Sequence, residues 1–415
     1  MLKRRLVLGV FLCVNTLVNM DHGSIPAAAS EIASDLNLSK FQMGVLGSSI
    51  FIGVTLGGVL SAYLFHKLDA KLILCFGTFL NGVLVAGFPL SNSLLLLTYL
   101  NRLLTGICQV FLIIYVPVWI DLFGKVSKTL WMTVLQTTVP LGVLSGYALT
   151  AFITQTWNWR FTFYAQAFLY IPCVVLMFSF PSRKISYSQD NSDYQSLDEY
   201  SNYVQNKAEF LEKLYELFSN RQFLYLMLGQ ACIYFVVTGL QFWGTDYSIK
   251  VLLMEESAVY TYYAATTITG PTLGVLLGGY LSHKAGGYET SEAGYVCAVL
   301  GGLGCLVAIP VPLVSSFGVF MGLLWGVLFF GAGMMPCLIG MIIRVVEPQH
   351  KALANSVNSI MTNLLGYLPA PLMYGFMCDL TGGDRSNAGM MLVMYWSLLA
   401  EFFVILALVR PKLKV

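Results

Sequence analysis

Three side chains of fixed charge type fall inside long apolar stretches of this 415-residue chain: Asp21, Arg102 and Glu401. A charge at the centre of a membrane-crossing helix costs about 2.5–3.5 kcal/mol, so each needs a partner or a wet cavity. Asp21 and Arg102 are chemically matched. A guanidinium can hold a carboxylate and, once that carboxylate is protonated, an anionic group such as phosphate. At about 1.5 Å per helical residue, Asp21 sits about 22 Å into the first apolar stretch from its amino-terminal end. Arg102 sits about 12 Å into the fourth, which runs the opposite way, so in a core about 30 Å thick the two lie about a turn apart in depth. A pair, or a network shared with His22 and Gln109, is geometrically open. Two readings stand: a coupling or headgroup site, or a static ion pair that positions helices. His22 is an alternative titrating group, since an unperturbed imidazole titrates at about 6.5. Glu401 has no partner that the sequence names.

Lipid must be the solvent of the elements that carry these groups. Hydrophobic residues make up 57% of the chain and charged residues only 11%. A water-soluble domain carries about 25% charge and could not cover its surface with so few polar groups. Runs of about 20 apolar residues, the length of a crossing helix, fall at 6–30, 41–66, 72–90, 94–123, 129–153 and 160–180. A second set falls at 222–245, 258–282, 292–314, 318–346, 351–377 and 388–409. Of the 23 Lys and Arg residues, only Lys40, Arg160, Lys250 and Arg385 fall in odd-numbered connections, and Arg102 lies within a span. The others lie at the termini and in even-numbered connections, which places both termini in the cytosol. Lys3-Arg4-Arg5, the apolar stretch after them and Ala27-Ala28-Ala29 imitate a signal peptide. Retention is expected, because removal leaves an odd helix count. The expected organisation is a six-helix bundle over 1–180, a cytosolic linker over 181–221 and a second six-helix bundle over 222–415. The linker is rich in Ser, Tyr and Asp from Ser182 to Tyr203, then turns amphipathic, with Phe210, Leu211, Leu214, Leu217 and Phe218 on one helical face.

The two sets repeat each other. Gly53-Val-Thr-Leu-Gly57 recurs 217 residues on as Gly270-Pro-Thr-Leu-Gly274, and Tyr63-Leu-Phe-His66-Lys67 recurs as Tyr280-Leu-Ser-His283-Lys284. Parallel repeats of a six-helix unit build one large class of carriers, and G-x-x-x-G spacing lets helices approach closely.

These helix ends resemble the loop motif at the cytosolic gate of the major facilitator superfamily, small-x-x-x-Asp-Arg/Lys. Here the motif region holds His66, Lys67, Asp69 and Lys71, and its second copy His283 and Lys284. Within that superfamily the chain is similar to the Spinster family, whose members are associated with lysolipid and sphingolipid transport. The similarity lies in Asn19-Met-Asp21-His22, in Arg102 and Gly106, in Pro140-Leu-Gly142-x-x-Ser145-Gly146-Tyr147 and in Val237-Thr238-Gly239 before Trp243. It continues in Leu364-Leu-Gly366-x-x-x-x-Pro371-x-x-x-Gly375-x-x-x-Asp379. The resemblance implies an all-α membrane protein of twelve transmembrane helices in two six-helix halves, the major facilitator fold. Departures remove ionisable groups: Gln109 stands where the family has Glu, Tyr367 where it has Asp, Asn363 where it has His, and His22 where it has Arg. The candidate coupling or substrate residues are therefore Asp21, His22, Arg102, Gln109, Asn363, Tyr367 and Glu401.

The function expected is secondary transport of a small organic or lipid-like solute, with or without proton coupling, by alternating access. A facilitative carrier of a small polar metabolite and a non-transporting receptor of carrier fold are the alternatives. No G-x-x-x-x-G-K-[ST] loop is present, so ATP does not drive the process directly. Neither H-E-x-x-H nor G-x-S-x-G occurs, and no enzyme or cofactor is expected. The nine cysteines include no C-x-x-C pair, and a packing role between helices is expected of them. The partners expected are a small-molecule or lysolipid substrate, the lipid bilayer and protons, with no nucleic acid and a monomeric state. Residence in the plasma or an endolysosomal membrane follows, and Tyr194-Gln-Ser-Leu197 resembles a sorting signal for the latter.

Overall fold

A computed structural model describes residues 2–90, 94–123, 128–154, 156–185, 207–286, 290–347 and 351–409. The sorting motif Tyr194–Leu197, like the rest of 186–206, lies outside the described residues, as does the side chain of His66. Among the described residues the regular structure is entirely helical. The elements are α1 (Leu2–Ala27), α2 (Ala29–Asp35), α3 (Lys40–Lys67), α4 (Ala70–Gly87), α5 (Leu95–Phe123), α6 (Lys128–Thr154) and α7 (Arg160–Ser179). A short turn at Ser182–Ile185 precedes α8 (Lys207–Ser219), α9 (Arg221–Lys250), α10 (Glu256–Lys284), α11 (Ser291–Ala308) and α12 (Phe317–Arg344). The series closes with α13 (Lys351–Thr362), α14 (Pro369–Thr381) and α15 (Ala388–Val409).

All twelve predicted spans are helical, and ten of these helices are long and apolar enough to cross a membrane on their own account. The other two depart for visible reasons. Helix α10 carries a run of Tyr and Thr residues in its first half. The eleventh predicted span is divided between α13 and α14 by a π turn, Asn363–Tyr367. Pro369 and Pro371 lack the N–H groups that would close the normal ladder onto Leu365 and Tyr367, and a wider turn absorbs the mismatch. The first span also ends earlier than predicted: α1 stops at Ala27, and α2 follows as a separate short helix.

The chain forms two compact units. The first comprises 1–188, 241–264 and 371–379; the second comprises 189–240, 265–370 and 380–415. In the first, small residues set the helix contacts, as expected where lipid supplies no hydrophobic drive. A Cβ on Gly53 would overlap the Leu103 carbonyl oxygen, and one on Gly106 would overlap that of Ile50, which presses α3 against α5. Gly23 and Gly146 do the same between α1 and α6, against the carbonyls of Val143 and Met20. Leu56, Val59 and Tyr63 on α3 point outward and are exposed, an arrangement suited to lipid rather than water.

In the second unit the repeated glycines act alike. Gly274 and Gly278 lie on the carbonyls of Phe329 and Gly333, which presses α10 against α12. The core gathers Phe223, Leu226 and Met227 of α9 with Leu338 and Met341 of α12 and Val404 of α15. Leu217 of α8 is buried there and Leu214 packs on its edge. Phe218 is exposed instead, so the apolar face of the amphipathic helix is narrower than its sequence suggests. Eight cysteines are buried as packing residues, whereas Cys13 is exposed; the expectation that all nine pack between helices fails at that one position.

Candidate functional site

Helices α1 and α5 bring Asp21 and Arg102 together in the first unit. Arg102 Nη1 donates to both carboxylate oxygens of Asp21, at 3.0 and 2.7 Å. Gln109 Nε2 donates to the same carboxylate at 3.3 Å. Arg102 and Gln109 are seven residues apart on α5, two turns along one face. Asp21 is wholly buried and Arg102 is 3% exposed. The guanidinium also lies over the Phe88 ring, 5.6 Å from its centroid. Arg102 Nε and Gln109 Oε1 are buried without a hydrogen-bond partner among the described residues. The pair therefore keeps unspent donor capacity, and a neutralised Asp21 would leave a guanidinium free to bind an anion. The His22 ring stacks on Phe51 at 5.8 Å, and its carbonyl accepts a hydrogen bond from Gln241 Nε2.

A second ionic cluster lies in the same unit, at the Ala27 end of α1, and nothing in the local sequence pattern announces it. Lys40 and Asp246 form a buried salt bridge. Asp246 also accepts from Ser30 Oγ at 3.0 Å and has Lys250 Nζ at 3.7 Å. The Lys40 ammonium lies over the Trp243 ring, and Trp243 donates its indole N–H to the Pro371 carbonyl at 3.0 Å and stacks on Tyr374. Asp379, the last residue of the motif on α14, accepts from the backbone N–H groups of Lys40 and Phe41 at 3.2 and 3.0 Å. A carboxylate there satisfies donors that a helix start leaves open and complements its dipole. Gly375 permits the approach, because a Cβ would overlap the Lys40 carbonyl oxygen. Nearby, burial and the Glu256 carboxylate raise the Glu31 carboxyl to about 7, against the opposing hydrogen bond from Thr154.

The gate-motif residues take local roles. Asp69 caps α4 by accepting from the Lys71 N–H at 2.7 Å, and Lys71 Nζ reaches the Phe178 carbonyl at 2.9 Å. Lys67 lies over the Tyr63 ring, and His283 and Lys284 form the last turn of α10. In the second unit, Tyr367 packs its ring 4.8 Å from that of Tyr234. Asn363 bonds back to the Ser359 carbonyl at 3.1 Å. Glu401 faces a cavity within this unit. The structure thus unites Asp21, Arg102 and Gln109; Asn363, Tyr367 and Glu401 belong to the other unit.

Long apolar helices joined at small residues, with a buried acid–base pair between α1 and α5, define a polytopic membrane protein. The model of the Major Facilitator Superfamily matches residues 11–371, and the chain belongs to that superfamily. It is a membrane transporter, not an enzyme. Its relatives include "Probable sphingolipid transporter spinster homolog 3" of Arabidopsis thaliana, 22% identical over 90% of this chain and 79% of that protein. "Sphingosine-1-phosphate transporter SPNS2" of Mus musculus is 22% identical over 88% of this chain and 68% of its own length. Among solved structures, an inward-facing, unoccupied bacterial homologue of the human lysosomal transporter Spinster superposes with a TM-score of 0.81. It is 19% identical, with 98% of this chain and 97% of that one covered. The nucleoside transporter NupG superposes at 0.70 with 13% identity, over 97% and 98% of the two chains. These structural likenesses bear on the fold.

Proposed function

We propose that this protein is a secondary transporter of a single-chain, lipid-like solute with an anionic headgroup, linked to protons through Asp21. The observation that carries the reading is the buried Asp21–Arg102 pair, whose guanidinium leaves its Nε–H unspent. With Asp21 ionised, the carboxylate occupies Arg102. Protonation of Asp21 removes that competitor, and a phosphate oxygen takes its place. Binding and proton uptake are then linked, and alternating access carries both across. The relatives named for sphingolipid and sphingosine-1-phosphate transport favour an amphiphile of this kind.

The charge bias of the connections supports cytosolic termini, in a plasma or endolysosomal membrane, with the monomer as the working unit. In that orientation the Lys40–Asp246–Asp379 cluster is a latch at the non-cytosolic end. The neutral Gln109, in a place where related carriers hold an acid, favours a second reading: facilitated transport without protons. Counterflow of labelled sphingosine-1-phosphate or lysophosphatidic acid into preloaded proteoliposomes tests the carrier. Trans-stimulated, saturable uptake that Arg102→Gln abolishes is expected. Uptake that is indifferent to internal substrate would argue for a channel and against this reading.

A further inference from the structure

Glu401 sits in the middle of α15, where it faces a partly open cavity of about 220 Å³ lined by α9, α10, α11, α12 and α15 of the second unit. The walls are almost wholly apolar; Ile233, Val237, Pro271, Val327 and Leu328 are typical. The polar groups along it are spent elsewhere. Ser397 Oγ donates to the Met394 carbonyl at 2.6 Å, and Cys305 Sγ donates to the Ser397 carbonyl at 3.3 Å. Glu401 Oε2 is different: it is buried and has no hydrogen-bond partner among the described residues. Gly301 of α11 makes the room for it, since a Cβ there would overlap that oxygen.

An isolated carboxylate in apolar surroundings is costly unless a proton or another cation neutralises it. The chemistry of the walls narrows what that is. An anion finds no free donor, since the Tyr234 hydroxyl along the wall is engaged with Tyr367 and Gln230. A hard metal ion needs several oxygen ligands and would find one carboxylate. A small hydrophilic cation would lose its water and gain little from aliphatic walls. A cation with a hydrophobic body satisfies both features, placing its charge on Glu401 and its body against α9 and α12. We infer that this cavity is a binding site for a hydrophobic organic ammonium, with Glu401 as its counter-ion. The site is separate from Asp21 and Arg102 and stands whether or not they couple protons.

Equilibrium dialysis of labelled phenyltrimethylammonium against the full-length protein in lipid nanodiscs tests this, with empty nanodiscs as the blank. Tetramethylammonium supplies the same charge without the ring. Saturable binding of the phenyl compound, at least about tenfold tighter than tetramethylammonium, is expected. Glu401→Gln should weaken it at least about tenfold while the protein stays monodisperse and helical. Gly304→Leu keeps the acid and fills the cavity, and should weaken binding as well; it decides the matter where Glu401→Gln fails to fold. Equal binding by wild type and Glu401→Gln, or unimpaired binding by Gly304→Leu, would overturn the inference. So would an absence of ammonium binding beside a Glu401-dependent change of stability with pH, which would make the carboxyl a proton site only.

Discussion

Removal of either member of the Lys40–Asp246 pair should expose an asymmetry that is built into the cluster. Their side chains are 8% and 5% exposed, and loss of one partner from a buried pair costs about 3–5 kcal/mol because a charge is left uncompensated. Asp246→Ala removes the carboxylate that faces the buried Lys40 ammonium, and a cost of about 3–5 kcal/mol is expected. Lys40→Met leaves Asp246 with Ser30 at 3.0 Å and with Lys250 at 3.7 Å. A carboxylate that keeps a hydrogen bond and a cation loses less, about 1–3 kcal/mol. The double variant Lys40→Met/Asp246→Leu removes both charges and should recover part of the larger loss. Equilibrium unfolding in mixed micelles measures all three. A Lys40→Met variant as unstable as Asp246→Ala, or a double variant worse than both, would refute this account of the cluster.

Other perturbations follow from the same geometry. With its pKa raised from 4.5 to about 7, Glu31 contributes stability that is full below about 4.5 and lost as pH rises through about 7. The melting temperature should therefore fall between about pH 4.5 and about pH 7 and level off above, and Glu31→Gln should flatten that slope; an unchanged slope in the variant would assign it to other groups. A Cβ on Gly278 would overlap the Gly333 carbonyl oxygen, whereas one on Gly279 meets nothing within 4 Å. Gly278→Val should cost about 1–3 kcal/mol or more through overpacking, and Gly279→Ala should be neutral or stabilising by up to about 1 kcal/mol. Equal effects at the two positions, measured by thermal melting, would contradict the packing described for α10 and α12.

The parts of this structure that the sequence revealed are those set by distance along a helix. Depth from a helix end follows from rise per residue, which is why Asp21 and Arg102 could be matched before any contact was known. Gln109 was marked by the resemblance, as standing where the family has Glu, and the helical period puts it on the Arg102 face. The length of its apolar run marked α10 as a span, and the repeat agrees with that, even though its Tyr and Thr residues leave it less apolar than its neighbours. What escaped depended on contacts between distant segments. Lys40 looks like an ordinary basic residue before an apolar run, and Asp246 falls just past the end of another. Only folding shows that they meet across 206 positions. The π turn at Asn363–Tyr367 has little hydropathic signature; Pro369 and Pro371 were its available signal. The amphipathic pattern of α8 set the helix correctly but not which of its apolar residues would be covered, because that depends on the neighbouring core.

The most direct test of the central claim is uptake by proteoliposomes containing the Asp21→Asn variant, driven by an imposed pH gradient and compared with exchange at equal pH. Asn keeps the shape of the side chain and cannot carry the proton. The account predicts that gradient-driven accumulation is lost while exchange of labelled substrate for unlabelled persists. Full concentrative uptake by Asp21→Asn would contradict it.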